Sequence, residues 1–404
     1  MKDDRLAEES LRGSTTTAAN SDDDNGNNGD GDGDDGGGDA ADGGSQVPQA
    51  ELLGLLEASG ISGDDGRAAA PQAEDSGAAD ASTVETISGT DDCSITPTAV
   101  DGVWLAQTTD FFYPLVDDPY TMGKVACANV LSDLYAVGVA RCDTMLMLLG
   151  VSTQLADPDV RRTATALCMR GFRDLAMQAG TRVTGGQTVR NPWFVVGGVA
   201  SAVVAESQMI RPVHAQPGDV LVLTKPLGTQ PTVVAYGYLA DKAKMARLDG
   251  IVSRQQLIHC YDQAVASMAR LNQTGAELMH RYDAHAATDV TGFGLIGHAQ
   301  NLAAGQTCGV DFVIHTLPVL PHALALDTIT GFGLLEGRSP ETSGGLLVAL
   351  PAKQAPAFVA EISQRDGWPA FIVGDVIQGT GQARLAPEAQ LRMPIVEVDL
   401  DAPM

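Results

Sequence analysis

Four carboxylate sites in this chain lie where a charge is costly to keep. Asp91-Asp92 stand in "TDDCSI", Asp110 in "QTTDFF", Asp133 in "NVLSDLY" and Asp289 in "ATDVTGFG". Each has apolar or glycine-rich neighbours, and few Lys or Arg residues flank them. A buried carboxylate is strongly disfavoured unless it is paired or binds metal. Several converging without cations point to a hard cation, Mg²⁺, held partly through phosphate oxygens. Asn129 precedes Asp133 by four residues, so a helix carries both on one face. Taken singly, each of these aspartates reads better as a helix cap or a turn residue; it is the set of four that points to a cation.

Four glycine loops could bring backbone N–H groups close to a phosphate: "TGGQT" (184–188), "KPLGTQ" (225–230), "TGFG" (291–294) and "TSGG" (342–345). Each alone reads as a tight turn. No GxxxxGK[ST] is present, and with 287 onward read as a loop no GxGxxG is expected to follow a strand, so a nucleotide would be held in another way. His285 and His298 lie near the Asp289 loop but without metal-site spacing, and read as helix-surface or hydrogen-bonded core residues. There is no GxSxG. The six cysteines, Cys93, Cys127, Cys142, Cys168, Cys260 and Cys308, are scattered among apolar residues with no CxxC pair. They read as reduced and buried, in a cytoplasmic protein.

The elements that must position these residues are legible in outline. The stretch 100–112 reads as a turn and a strand, and 121–139 as a helix apolar on nearly all sides, hence buried. "LMLLGVS" is a strand and 159–180 a long helix closed by Gly180. "TRVTGGQTV" and "FVVGGVASAVVA" read as two strands about a tight glycine turn. A second unit opens with the turn and strand of "QPGDVLVLTKPLG" (216–228). A long helical stretch follows over about 255–281, then a loop and helix over 287–303, and strands at "VDFVIH", "GGLLVAL" and "FIVGDVI". Strands alternating with helices in both units predict two α/β (α+β) domains. The expected division is a disordered acidic Asp/Gly-rich tail (1–46), a short helix and linker (47–90), an N-terminal domain (91–210) and a C-terminal domain (211–404).

Bulk properties narrow the classes. The chain has 404 residues and a net charge of −26, and residues 1–92 hold 23 acidic against four basic side chains. Most of the acidity thus belongs to the tail, which cannot bury enough apolar surface to order itself. No basic excess suits a nucleic acid. The opening "MKDDRLAEES" lacks an apolar signal core, and the longest apolar run, 193–205, is too short to span a bilayer. The expectation is a protein with no nucleic-acid and no membrane partner.

The long motifs "QTTDFFYPLVDDPYTMGKVACANVLSDLYAVGV", "VTGGQT", "NPW", "GDVLVLTKPLGTQ", "HAATDVTGFGLIGHAQNLA" and "PETSGGLL" resemble the selenophosphate synthetases (selenide, water dikinases). These are ATP-binding enzymes of AIR synthetase-like fold, and the wording is similar to the eukaryotic branch. The similarity is nearly continuous from about Asp91 to the end of the folded part. It implies synthesis of selenophosphate from ATP, selenide and water, with AMP and phosphate released. It also implies a homodimer in which N-terminal strands join into a shared barrel. By the resemblance, Asp91, Asp133 and Asp289 bind Mg²⁺, Asp110 serves nucleotide and metal, and Asn129, Gly185, Gly186 and Thr188 contact ATP.

One segment departs. The family carries Cys or selenocysteine, then Gly-Cys-Lys, directly before a Val-Pro pair. Aligned on Val47-Pro48, this chain has Gly43 in the Cys/selenocysteine position and Gln46 in the lysine's. Glycine supplies no thiolate and neutral glutamine no cation. Three readings follow: a translation that skirts a selenocysteine codon, a catalytically impaired paralogue that binds or hydrolyses ATP as a regulatory partner, or substitution by a cysteine elsewhere. A kinase or amide-forming synthetase of the same fold is a further alternative.

Overall fold

The computed structural model describes residues 92–400. The tail, the helix expected near Pro48, the Val47-Pro48 seam and Asp91 lie outside them.

The first unit is a mixed sheet backed by two helices. Its strands are β1 (Ser94–Pro97), β2 (Val103–Phe112), β3 (Thr144–Ser152), β4 (Val183–Asn191) and β5 (Val195–Ala205), and its helices are α1 (Pro119–Ala136) and α2 (Pro158–Gln178). The strand order is β1-β2-β5-β3-β4, with only β3 and β4 parallel. Each helix starts as its sequence dictates. Asp118 accepts from the Tyr120 and Thr121 N–H groups before Pro119, and Asp157 from Asp159 and Val160 before Pro158. A proline in the first turn forfeits no hydrogen bond, and the aspartates satisfy two otherwise orphaned donors.

The all-round apolar character of α1 has a structural cause. It packs on α2 and the sheet on one side and on the second unit on the other, so 14 of its 18 residues are buried. Its contact with α2 is backbone to backbone. A Cβ on Gly171 would fall 1.8 Å from the Tyr120 carbonyl oxygen, and one on Gly123 2.0 Å from that of Cys168.

The second unit contains a six-stranded sheet, ordered β11-β8-β10-β6-β9-β7. In chain order it runs β6 (Asp219–Leu223), α3 (Thr229–Gly237), α4 (Lys242–Ala246), α5 (Arg254–Ala269), α6 (Gln273–Arg281), β7 (Ala286–Asp289), α7 (Gly294–Ala304) and β8 (Val310–Ile314). Then follow α8 (Ala323–Thr330), β9 (Leu346–Pro351), α9 (Ala355–Asp366), β10 (Phe371–Gln378) and β11 (Ala383–Leu385). One core runs from the first sheet through α1 to β9 and α9, and a separate one fills the other face of the second sheet.

Several expectations are corrected. The glycine stretch "TGGQT" is not a turn but lies within β4, whose chain reverses at Pro192–Phe194 instead. The stretch 255–281 is two helices, broken at Arg270–Asn272. Asp289 closes a four-residue strand, β7, rather than standing in a loop, so the GxGxxG of Gly292, Gly294 and Gly297 does follow a strand and opens a helix. Cys308 is exposed, whereas the other five cysteines are buried. No helix among the described residues is long and apolar enough to cross a membrane.

Candidate functional site

Alternation along β2 decides where Asp110 points. Ala106 and Thr108 face inward, Gln107, Thr109 and Phe111 face outward, and Asp110 shares the inward side with Thr108. That side meets the face of α1 that carries Asn129 and Asp133. The Thr108 hydroxyl donates to Asp133 Oδ2. The Asn129 amide nitrogen donates to Asp110 Oδ2 at 2.8 Å. The second unit completes the cluster with Asp289 at the end of β7, 2 % exposed. Thr288, one residue earlier, donates to Asp92 Oδ1 at 3.0 Å. Chain segments almost 200 residues apart thus meet at the junction of the two units.

The electrostatics fit a site built for a cation. Burial, and then the field of Asp289, push the Asp110 carboxyl up to about 7, against the pull of the Asn129 hydrogen bond. Asp133 is raised well above the usual carboxylate range by burial, then by Asp289, Asp110 and Asp92. Burial raises Asp289 too, opposed by hydrogen bonding from Ser132 and by the charge of Lys225. Asp289 Oδ2 is buried with no hydrogen-bond partner. Set against this, no group of three or more His, Cys, Asp or Glu side chains among the described residues closes around one ion position. The two observations are compatible: Mg²⁺ keeps waters and phosphate oxygens in its shell, so one or two carboxylates per ion suffice. The orphaned oxygen and the raised acids fit a divalent cation; Asp91, the fourth sequence candidate, falls outside the described residues.

Not all sequence candidates meet here. Gly185, Gly186 and Thr188 sit on β4, the edge strand, whose residues 184–190 are exposed. Gly186 shares a row with Met147, Gly198 and Asp110 across the sheet. Three strand spacings separate it from Asp110, roughly 14 Å. Its glycine identity is required, since φ is +140° and a Cβ would fall 1.9 Å from the Met147 carbonyl oxygen.

The other glycine loops spend their N–H groups internally. Gly228 N and Thr229 N, at the start of α3, donate to the buried carboxylate of Glu341 at 2.7 and 2.9 Å. Thr291 N donates to His298 Nε2 at 3.1 Å, and Ser343 N to Asn129 Oδ1 at 2.9 Å. These loops therefore shape the site rather than offer those groups to a phosphate. Sequence reading missed Glu341 and the fully buried Lys225. Lys225 lies 64 residues before Asp289 in the chain, so nothing in the local spacing betrayed it.

Comparison with known proteins places these features in context. The AIR synthase related protein N-terminal domain matches residues 90–204, and the C-terminal domain 216–385. The chain is 48 % identical over 356 residues to selenide, water dikinase 2 of Mus musculus, covering 84 % of this chain and 78 % of that protein. It is 47 % identical over 334 residues to selenide, water dikinase of Dictyostelium discoideum, covering 82 % and 84 %. Among solved structures it is similar to thiamine-monophosphate kinase from Stenotrophomonas maltophilia (TM-score 0.54, 22 % identity, 74 % of this chain and 90 % of that one). It also resembles hydrogenase maturation protein HypE in complex with ATP (TM-score 0.55, 17 % identity, 76 % and 88 %). At such identities the two structures speak for the fold alone.

Proposed function

The chain belongs to the AIR synthase related family and, within it, to the selenide, water dikinases; on that premise we propose the roles of its residues that follow. The activity is ATP-dependent synthesis of selenophosphate from selenide and water, with AMP and phosphate released. The observation that carries the assignment is the convergence of Asp110, Asp133 and Asp289, with Asn129, at the junction of the two units.

Asp91, Asp133 and Asp289, with Asp110, are the residues that would hold Mg²⁺. When bound, Mg²⁺ neutralises the charge that develops on phosphate oxygens during phosphoryl transfer. Asn129 holds the Asp110 carboxylate in one orientation, and Thr108 does the same for Asp133. Gly185, Gly186 and Thr188 are assigned to the nucleotide from the exposed edge of the sheet.

The outer face of that sheet supports the homodimer. Phe111, Leu146, Val189 and Val203 lie on it and are 64, 37, 49 and 46 % exposed. An apolar sheet face beside a strand that is an edge among the described residues is a surface that needs cover. A second copy of the face, closing into a shared barrel, provides it. The domain division at about residue 210 and a cytoplasmic location complete the reading.

The missing thiol or selenol favours a second reading. Gly43 and Gln46 stand in the positions of the family's Cys/selenocysteine and Lys. Burial pushes up the thiols of Cys127, Cys142, Cys168 and Cys260. None of these four readily supplies a thiolate in exchange. A paralogue that turns over ATP as a regulatory partner would keep the aspartates and lack selenide dependence. The residue assignment itself is tested by Asp133→Ala, which should abolish Mg²⁺-dependent ATP turnover while the circular dichroism spectrum is retained; unchanged turnover would remove it.

A further inference from the structure

The KPLG lysine, Lys225, is 1 % exposed. An ammonium at that depth is costly unless it is fully hydrogen-bonded, and an apolar side chain of the same volume would pack more cheaply. Its nitrogen donates to the carbonyl oxygens of Arg270 at 2.6 Å and Ser343 at 2.7 Å. Ser343 has φ +47°, a left-handed conformation rare for a residue with a side chain. Such strain persists only where the surroundings hold it. Here it is held from both sides, because the Ser343 N–H donates to Asn129 Oδ1 at 2.9 Å. That bond also fixes which way the Asn129 amide faces, since its oxygen must meet the N–H. The amide nitrogen is thereby aimed at Asp110 Oδ2, 2.8 Å away. Gly345 makes the approach possible, for a Cβ there would lie 2.4 Å from the Lys225 backbone nitrogen.

We propose that Lys225 is a positioning residue for the nucleotide site, orienting Asp110 through the backbone of Ser343 and the amide of Asn129. The inference rests on the assignment of Asp110 and Asn129 to nucleotide and metal made above. A lysine in the second unit thus sets the geometry of a carboxylate in the first without touching ATP.

The test is a double-mutant cycle on ATP affinity, measured by equilibrium dialysis with Mg²⁺ for wild type, Lys225→Met, Asn129→Ala and the pair. Melting temperatures are recorded alongside. Each single variant is expected to raise the ATP dissociation constant about tenfold, the scale of one buried hydrogen bond lost. The pair should bind no more weakly than Asn129→Ala alone, because both act on one path. A lysine that only supports the fold would give effects that multiply, or a lower melting temperature with unchanged affinity, and either overturns the proposal. Absence of ATP binding by wild type would overturn the site assignment and this inference together. Multiplying effects on a wild type that binds ATP overturn the relay alone. Should Lys225→Met not fold, Lys225→Gln, a polar side chain one bond too short for Nζ's position between the Arg270 and Ser343 carbonyls, replaces it in the cycle with the same outcomes.

Discussion

Asn129 on α1 donates to Asp110 on β2 at 2.8 Å, and accepts from Ser343 of the second unit through its other amide atom. One side chain therefore joins both units at the carboxylate cluster. Replacing it by Asp would set another carboxylate against Asp110, a group already pushed up to about 7. Asn129→Asp should weaken Mg²⁺·ATP binding by tenfold or more. Calorimetric titration checks this, and wild-type affinity would contradict it.

His298 gives the chain a defined acid sensitivity. It is buried, accepts from Thr291 N at 3.1 Å, and burial alone lowers it from 6.5 to about 4. A histidine held neutral in the fold contributes stability that is present above pH 6.5 and lost as pH falls toward 4. The full effect is at most ~3 kcal/mol for a shift of this size. Urea unfolding at pH 7 and pH 4 should show wild type losing more stability than His298→Asn, by up to that amount. Equal losses would mean that the ring is protonated or solvated in the fold.

The helix contact at Gly171 tolerates no side chain. A Cβ there meets the Tyr120 carbonyl oxygen at 1.8 Å, whereas one on Gly237 at the end of α3 meets nothing within 4 Å. Gly171→Ala should destabilise by about 1–3 kcal/mol or more. Gly237→Ala should be neutral or stabilising by up to ~1 kcal/mol. Thermal melts of the two variants side by side decide it.

The open sheet face yields a test of assembly. Leu146 and Val203 stand on it, and Leu146 pairs in register with Val199, four residues before Val203 on β5. Leu146→Glu should convert a dimer to a monomer by light scattering on a sizing column, since a charge there would be buried unpaired. A variant that stays dimeric would place the dimer contact elsewhere.

The sequence made the central helix and the long strand legible because their signals are strong. An all-round apolar helix must be buried, and the run 103–112 reads as a strand; which side Asp110 faces shows only in the alternating burial from Ala106 onward. The four-residue strands β1 and β7 are too short to show a period. The glycines of β4 carry no strand preference, and their extended shape is imposed by pairing with β3. The helix break at Arg270–Asn272 was hidden as well. Its cause lies elsewhere in the chain, where Asn272 donates to Gly344 O at 2.7 Å and Arg270 pairs with Asp366. Of the site, the aspartates were visible as isolated charges in apolar text. Lys225 and Glu341 were not, because what makes each notable is a partner more than 100 residues away.

The central claim is that this chain, with Gly43 and Gln46 where its relatives' chemistry would place a thiol or selenol and a lysine, makes selenophosphate. The most direct measurement is phosphorus NMR of the purified full chain with ATP, Mg²⁺ and selenide under anaerobic conditions. The expected result is AMP, phosphate and selenophosphate in equal amounts, formed only when selenide is present. ATP turnover that ignores selenide, or that releases ADP, would contradict it.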